Sequence, residues 1–170
     1  MQIILAVIFT LNAVTCQPYL EQPKPLQNVA LHKPAAQSSD WSGNPYRWKA
    51  YVAVDGNEDP DVAHGSCTHT NNEYRPWWKV DLEAEYKIRS VKLVNRIDTR
   101  YRDRLANFKI EVSTDDVNWL LCYHRPIILE GQNMDWQMFY CPPNLIGRYV
   151  RVQLQDTNIL TLCEVAVYGE

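Results

Sequence analysis

The residues best suited to chemistry are one histidine and two arginines. His69 closes the run His64-Gly65-Ser66-Cys67-Thr68-His69; after 26 residues comes Arg96-Ile97-Asp98, with Arg104 close behind. A neutral imidazole donates one hydrogen bond and accepts another, whereas a guanidinium donates only, in a rigid planar fork. That combination suits a ligand bearing several hydroxyls, such as a sugar, and Asp98 is spaced to aim one of the forks. Hydroxyl contacts return less energy apiece than contacts to phosphate or carboxylate, so affinity should be modest and specificity geometric. His64, Cys67 and His69 could ligate zinc only if Cys67 were a reduced thiolate. No nucleophile, base and orienter set is evident, nor a pair of opposed carboxylates fit for glycoside hydrolysis, so catalysis is not expected.

Such side chains need a rigid frame, and 170 residues suffice for one well-buried domain. The first sixteen residues read as a cleaved secretory leader: the apolar stretch Ile3 to Leu11, too short to span a bilayer, precedes Asn12-Ala13-Val14-Thr15-Cys16. Cleavage removes Cys16 and leaves Cys67, Cys122, Cys141 and Cys163, an even set suited to an oxidised, extracellular domain. Four cysteines allow three connectivities, and spacing alone does not choose among them. The pairing adopted is Cys122–Cys141 as a local clamp and Cys67–Cys163 as a long-range staple. A net charge of −3 gives no reason to expect nucleic acid, despite the cluster Arg96, Arg100, Arg102 and Arg104, which reads as loop charge; membrane insertion is not expected either.

Residues 17–27 hold three prolines among polar residues and read as a tail, with the domain covering 28–170. Apolar and polar residues alternate at Phe108 to Val112, Tyr149 to Leu154 and Glu164 to Tyr168, predicting half-buried strands. Weaker strand signals lie at Trp78 to Leu82 and Ser90 to Asn95, with turns at Asp55 to Asp61 and Ser113 to Asn118. No helical apolar stripe persists for three turns. The pattern is an all-β sandwich or jelly roll with binding loops at one end. Trp78 belongs to its core; Trp77 is undecided.

Five segments, Asn28-Val29-Ala30-Leu31-His32-Lys33-Pro34-Ala35-Ala36-Gln37-Ser38-Ser39, Ala53-Val54-Asp55-Gly56-Asn57, Trp77-Trp78-Lys79-Val80-Asp81-Leu82, Arg148-Tyr149-Val150-Arg151-Val152 and Leu162-Cys163-Glu164-Val165, resemble the discoidin-like, galactose-binding-like jelly-roll superfamily. The spacing His69-x26-Arg96-x-Asp98 narrows the similarity to the F-type lectins, or fucolectins. The resemblance implies a sugar triad at His69, Arg96 and Arg104 that contacts the ring oxygen and hydroxyls of terminal α-L-fucose. Two departures stand out. Five residues, Thr99 to Asp103, separate Asp98 from Arg104, one more than in the family's usual motif, and the family's adjacent cysteine pair is absent. Arg104 is taken over Arg102 because Arg104-Leu105 leads directly into the strand at Phe108. Tyr101 is then the candidate to stack on the sugar in place of the lost cysteines, and Trp41 falls in the family's variable specificity loop.

The family also implies calcium beneath this loop, held by the carbonyl of Val52, Asp55, Asn57, Ser66, the carbonyl of Cys163 and Glu164. Carbonyl, amide and hydroxyl oxygens with two carboxylates suit a hard cation. The Cys67–Cys163 bridge, which the family implies as well, would brace that cage. The expectation is a secreted, calcium-containing lectin that binds fucosylated glycans in recognition or defence. A homo-oligomer would supply the avidity that one weak site lacks. The alternative is a discoidin-like extracellular adhesion module binding another glycan or a protein.

Overall fold

The computed structural model describes residues 25–44, 46–98, 100–126 and 136–170. The expected leader, 1–16, and tail residues 17–24 lie outside the described residues. Among the described residues ten strands carry the fold: β1 (Gln27–Asn28), β2 (Ala35–Gln37), β3 (Glu73–Tyr74), β4 (Trp77–Val94), β5 (Phe108–Ser113), β6 (Leu120–Arg125), β7 (Trp136–Tyr140), β8 (Ile146–Leu154), β9 (Thr157–Asn158) and β10 (Glu164–Gly169). Gln27, placed in the tail by sequence, pairs with Gly169 in β1.

Strand β4 organises the sandwich. Its first part, where Trp78, Val80 and Leu82 are fully buried between polar neighbours, pairs with β2 and β8; β8 continues to β5, and β5 to β6. Its last part, Ser90 to Val94, pairs with β7 on one side and β10 on the other. All of these pairings are antiparallel. The two strands read from sequence at Trp78–Leu82 and Ser90–Asn95 are thus one strand that ends at Val94. Between them the chain kinks without leaving the sheet. Register shifts between Asp81 and Tyr86, Glu83 takes φ 64°, and the Glu83 amide donates to Asp81 Oδ1 at 2.8 Å.

Trp78, Phe108, Ile110, Val150, Val152 and Leu154 form the centre of the core. Each fully buried large apolar side chain contributes about 1.5–3 kcal/mol by leaving water. The Phe108 and Phe139 rings meet edge to face at 5.4 Å, tying β5 to β7, and the Trp78 indole satisfies its N–H on the Ala50 carbonyl at 2.9 Å. Gly147 is a packing requirement: a Cβ there would lie 2.1 Å from Val112 Cγ1. Both expected disulfides form. Cys122 of β6 joins Cys141 just beyond β7, and Cys67 joins Cys163 at the start of β10. Among the described residues helix is confined to short 3-10 turns, and no helix is long and apolar enough to cross a membrane.

Candidate functional site

His69 is set by a ladder beside the Cys67–Cys163 bridge. Thr68 N and Thr70 N donate to the carbonyls of Leu162 and Leu160, while the two threonine hydroxyls accept the amides of Leu162 and Leu160. With Thr68 and Thr70 fully buried, the alternation of an extended chain turns the His69 ring the other way, toward the half-exposed end of the sandwich. There its amide donates to the Trp48 carbonyl at 3.1 Å and its carbonyl accepts the Trp41 amide at 3.0 Å.

The arginines come from the loop between β4 and β5. Arg96 follows β4 directly and is 6% exposed; its Nε donates to Asp98 Oδ2 at 2.5 Å. The Ile97 amide on the Pro60 carbonyl pins the loop to its neighbour. Successive turns, Tyr101 N to Asp98 O and Arg104 N to Tyr101 O, then carry the chain to Arg104, and buried Leu105 anchors the exit into β5.

Around a cavity of about 300 Å³ the structure gathers His69, Arg96, Tyr101, Arg104 and Trp41, together with three residues that sequence reasoning missed, Trp48, Val62 and Ile159. Asp98 stands behind Arg96 as its partner and does not line the cavity. The Tyr101 ring carries the Arg104 guanidinium at 4.3 Å and that of Arg96 at 5.0 Å. On the opposite wall Trp41 packs on His69 at 5.2 Å and edge-on to Trp48 at 6.2 Å, and Arg47 lies over Trp48 at 4.8 Å. Trp48, at φ 67°, holds a backbone conformation that indole side chains seldom adopt. Its proximity to Trp41 in a loop was the one available sequence signal.

His69 Nδ1 lies 2.8 Å from the Thr70 carbonyl, so the proton sits on Nδ1 and neutral Nε2 is an acceptor. Arg104 Nη1 approaches that Nε2 at 3.4 Å. Burial, and secondarily the charges of Arg104 and Arg96, hold the His69 pKa below its ordinary value of 6.5. Burial likewise lowers the Arg104 pKa, helped by the Arg96 charge. The cavity therefore offers two cationic forks, one neutral acceptor and aromatic walls. Zinc is excluded at His64, Cys67 and His69, because Cys67 is oxidised and His64 Nδ1 pairs with Asp59 at 2.7 Å.

Of the residues implied for calcium, Ser66 and Glu164 adjoin the Cys67–Cys163 bridge, Asp55 lies close enough for its charge to act on Glu164, and Asp55 and Asn57 are exposed. Glu164 is 2% exposed with neither carboxylate oxygen hydrogen-bonded, and burial followed by the neighbouring Asp55 charge pushes its pKa up to about 8. Asp55 Oδ1 accepts the Asn57 amide at 2.8 Å, and the Ser66 hydroxyl donates to the Asp59 carbonyl at 2.6 Å. Among the described residues no three His, Cys, Asp or Glu side chains converge as a metal cluster. A buried carboxylate beside the exposed Asp55, with Lys92 as the opposing charge that reaches it, still has unmatched oxygens that fit a bound cation.

Comparison with known proteins follows the same lines. Residues 52–152 match the NedA-like, galactose-binding domain family. Fucolectin-6 of Anguilla japonica is 38% identical over 165 residues, spanning 94% of this chain and 84% of that protein. Among solved structures, the lectin domain of lectinolysin complexed with Lewis B antigen superposes with TM-score 0.75 at 35% identity, covering 85% of this chain and 97% of that one. The F-lectin from Morone saxatilis (striped bass) serum gives TM-score 0.75 at 35% identity, this chain spanning 86% of itself but 50% of that chain. The sandwich is a discoidin-like jelly roll, and the chain belongs to the fucolectin, or F-type lectin, family.

Proposed function

We propose that this protein is a secreted lectin that binds terminal α-L-fucose on glycans through His69, Arg96 and Arg104. The observation that carries the reading is the convergence of these three side chains on one open cavity walled by Tyr101 and Trp41. A sugar hydroxyl both donates and accepts. His69 Nε2 accepts a hydrogen bond from a sugar hydroxyl, and the two guanidinium forks donate to the hydroxyl lone pairs and the ring oxygen. Asp98 fixes the Arg96 fork in advance, so little rotamer entropy is lost on binding. Tyr101 and the tryptophans offer flat apolar area to the less polar face of the ring. The name of the Anguilla japonica relative and the Lewis B complex of the lectinolysin domain support fucose as the ligand.

The protein acts by binding and not by catalysis. Calcium would be held by the Val52 and Cys163 carbonyls with Asp55, Asn57, Ser66 and Glu164. When bound, the ion would supply positive charge to the buried Glu164 and link the 52–66 segment to the start of β10. Removal of residues 1–16 delivers a mature, disulfide-bonded chain to the exterior, in keeping with the serum source named for the striped bass relative. One weak site per chain gains strength through a homo-oligomer. The decisive experiment is chromatography of the secreted protein on immobilised fucose, eluted with free fucose, with and without calcium. Retention in calcium and release by fucose is expected; flow-through in both conditions would sink the reading.

A further inference from the structure

We infer that the cavity selects fucosylated glycans bearing an anionic substituent beside the fucose, a sulfate ester or a carboxylate, and that Arg100 reads it. This rests on the fucose reading above. The segment 96–104 carries four arginines against Asp98 and Asp103, in a chain whose net charge is −3. Three of their guanidinium groups surround one ring: Arg104, Arg96 and Arg100 lie 4.3, 5.0 and 5.2 Å from the centroid of Tyr101. Across the cavity a further cation, Arg47, covers Trp48 at 4.8 Å.

By formal charge the four arginines of the segment exceed Asp98 and Asp103 by two, and the acids of neighbouring loops are used elsewhere. Asp98 serves Arg96. Asp59 and Asp61, behind Val62, both turn to His64, and Asp40 is paired with Lys49. Arg104 instead faces the neutral Nε2 of His69. A neutral sugar leaves that excess of positive charge as it was, whereas a sulfate or carboxylate meets a guanidinium in a charge-assisted, often bidentate contact. Arg100 is exposed and lies against the ring that forms one wall, beside the mouth and not within the fucose pocket. It is therefore placed for a group on the neighbouring residue of the glycan or on an outward hydroxyl of the fucose itself.

The test is titration calorimetry with four probes: a neutral fucosylated N-acetyllactosamine, its sulfated form, its sialylated form and the sulfated glycan without fucose. At low ionic strength the two anionic fucosylated probes should bind about five- to tenfold tighter than the neutral one, the gap closing to less than about twofold in 0.5 M salt as the field is screened. Arg100→Gln should erase the gap while neutral-probe affinity persists. A preference confined to the sulfated or to the sialylated arm supports the inference and names the anion. Equal affinities for neutral and anionic probes overturn it and leave the fucose reading intact, whereas no binding to any fucosylated probe overturns both. Equal binding of the sulfated glycan lacking fucose would make the arginines a general polyanion patch, and a gap that survives Arg100→Gln would remove Arg100 from the role; either result overturns the inference.

Discussion

His69 presents Nε2 to Arg104 Nη1 at 3.4 Å, leaving a strong acceptor and a cationic donor side by side with no charged partner between them. The acceptor exists only while the ring is neutral. Since burial holds the His69 pKa below 6.5, the neutral form persists through that value on acidification. Fucose affinity should stay flat from pH 8 through about 6.5 and fall only below it, measured by calorimetry at constant calcium. Stability shifts the same way: the unfolded ring takes its proton first as pH falls, so the native state loses ground below the ordinary histidine value. A binding midpoint above 6.5 would contradict the acceptor role.

The two arginines should behave differently when removed. Arg104→Ala takes away a half-exposed fork, and fucose binding should vanish with the melting temperature nearly unchanged. Arg96 is almost fully buried and bonded to Asp98, so Arg96→Ala should abolish binding and also cost about 1–3 kcal/mol of stability. Denaturant unfolding of both variants separates the cases. Binding lost in Arg102→Ala but kept in Arg104→Ala would move the second fork to position 102.

Glu164 is a buried carboxylate with no hydrogen bond and Asp55 close by. In wild-type protein calcium should raise the melting temperature by mass action, and chelation should reverse the gain. Glu164→Gln removes the charge but keeps the shape. Its calcium-free melting temperature should equal or exceed that of wild type, and the calcium response should be lost. A Glu164→Gln variant still stabilised by calcium would place the ion elsewhere.

Much of this architecture was legible in the chain because burial on one face writes itself as alternation. Phe108–Val112, Tyr149–Leu154 and Glu164–Tyr168 became β5, β8 and β10. Strand β6 did not show, since it lies at a sheet edge where Leu120 and Leu121 stay exposed and, within Leu120–Arg125, only Cys122 is buried. The kink at Glu83 hid the continuity of β4 for the opposite reason: charged, exposed residues interrupt the pattern while the strand carries on. At the site, polar spacing pointed to His69, Arg96 and Arg104. It could not reveal Trp48, Val62 or Ile159, which reach the cavity through contacts between loops distant in sequence.

The two disulfides should differ in consequence. Cys122–Cys141 closes a short loop across the β6 and β7 edge, and replacing both residues with serine should cost about 3 kcal/mol with fucose binding retained. Cys67–Cys163 closes a loop with 96 residues of separation and lies two residues from His69. Its double serine variant should lose more, roughly 4–5 kcal/mol, and should weaken binding as well because the ladder that aims the imidazole loosens. Chemical denaturation paired with a fucose titration on each variant checks both halves; equal binding by the two variants would detach the bridge from the site.

Tyr101 is the residue on which both forks rest, its ring lying 4.3 Å from the Arg104 guanidinium and 5.0 Å from that of Arg96. Truncation should therefore act twice, removing an apolar wall of the cavity and freeing Arg104 to rotate. Tyr101→Ala should cost about 1–2 kcal/mol of fucose binding. Tyr101→Phe keeps the ring face that both guanidinium groups cover and should cost little. Calorimetry on the two variants decides between wall and bystander: unchanged affinity in Tyr101→Ala would mean the sugar is closed in from the other side, where Trp41 and Trp48 pack around His69 and would be the next to replace.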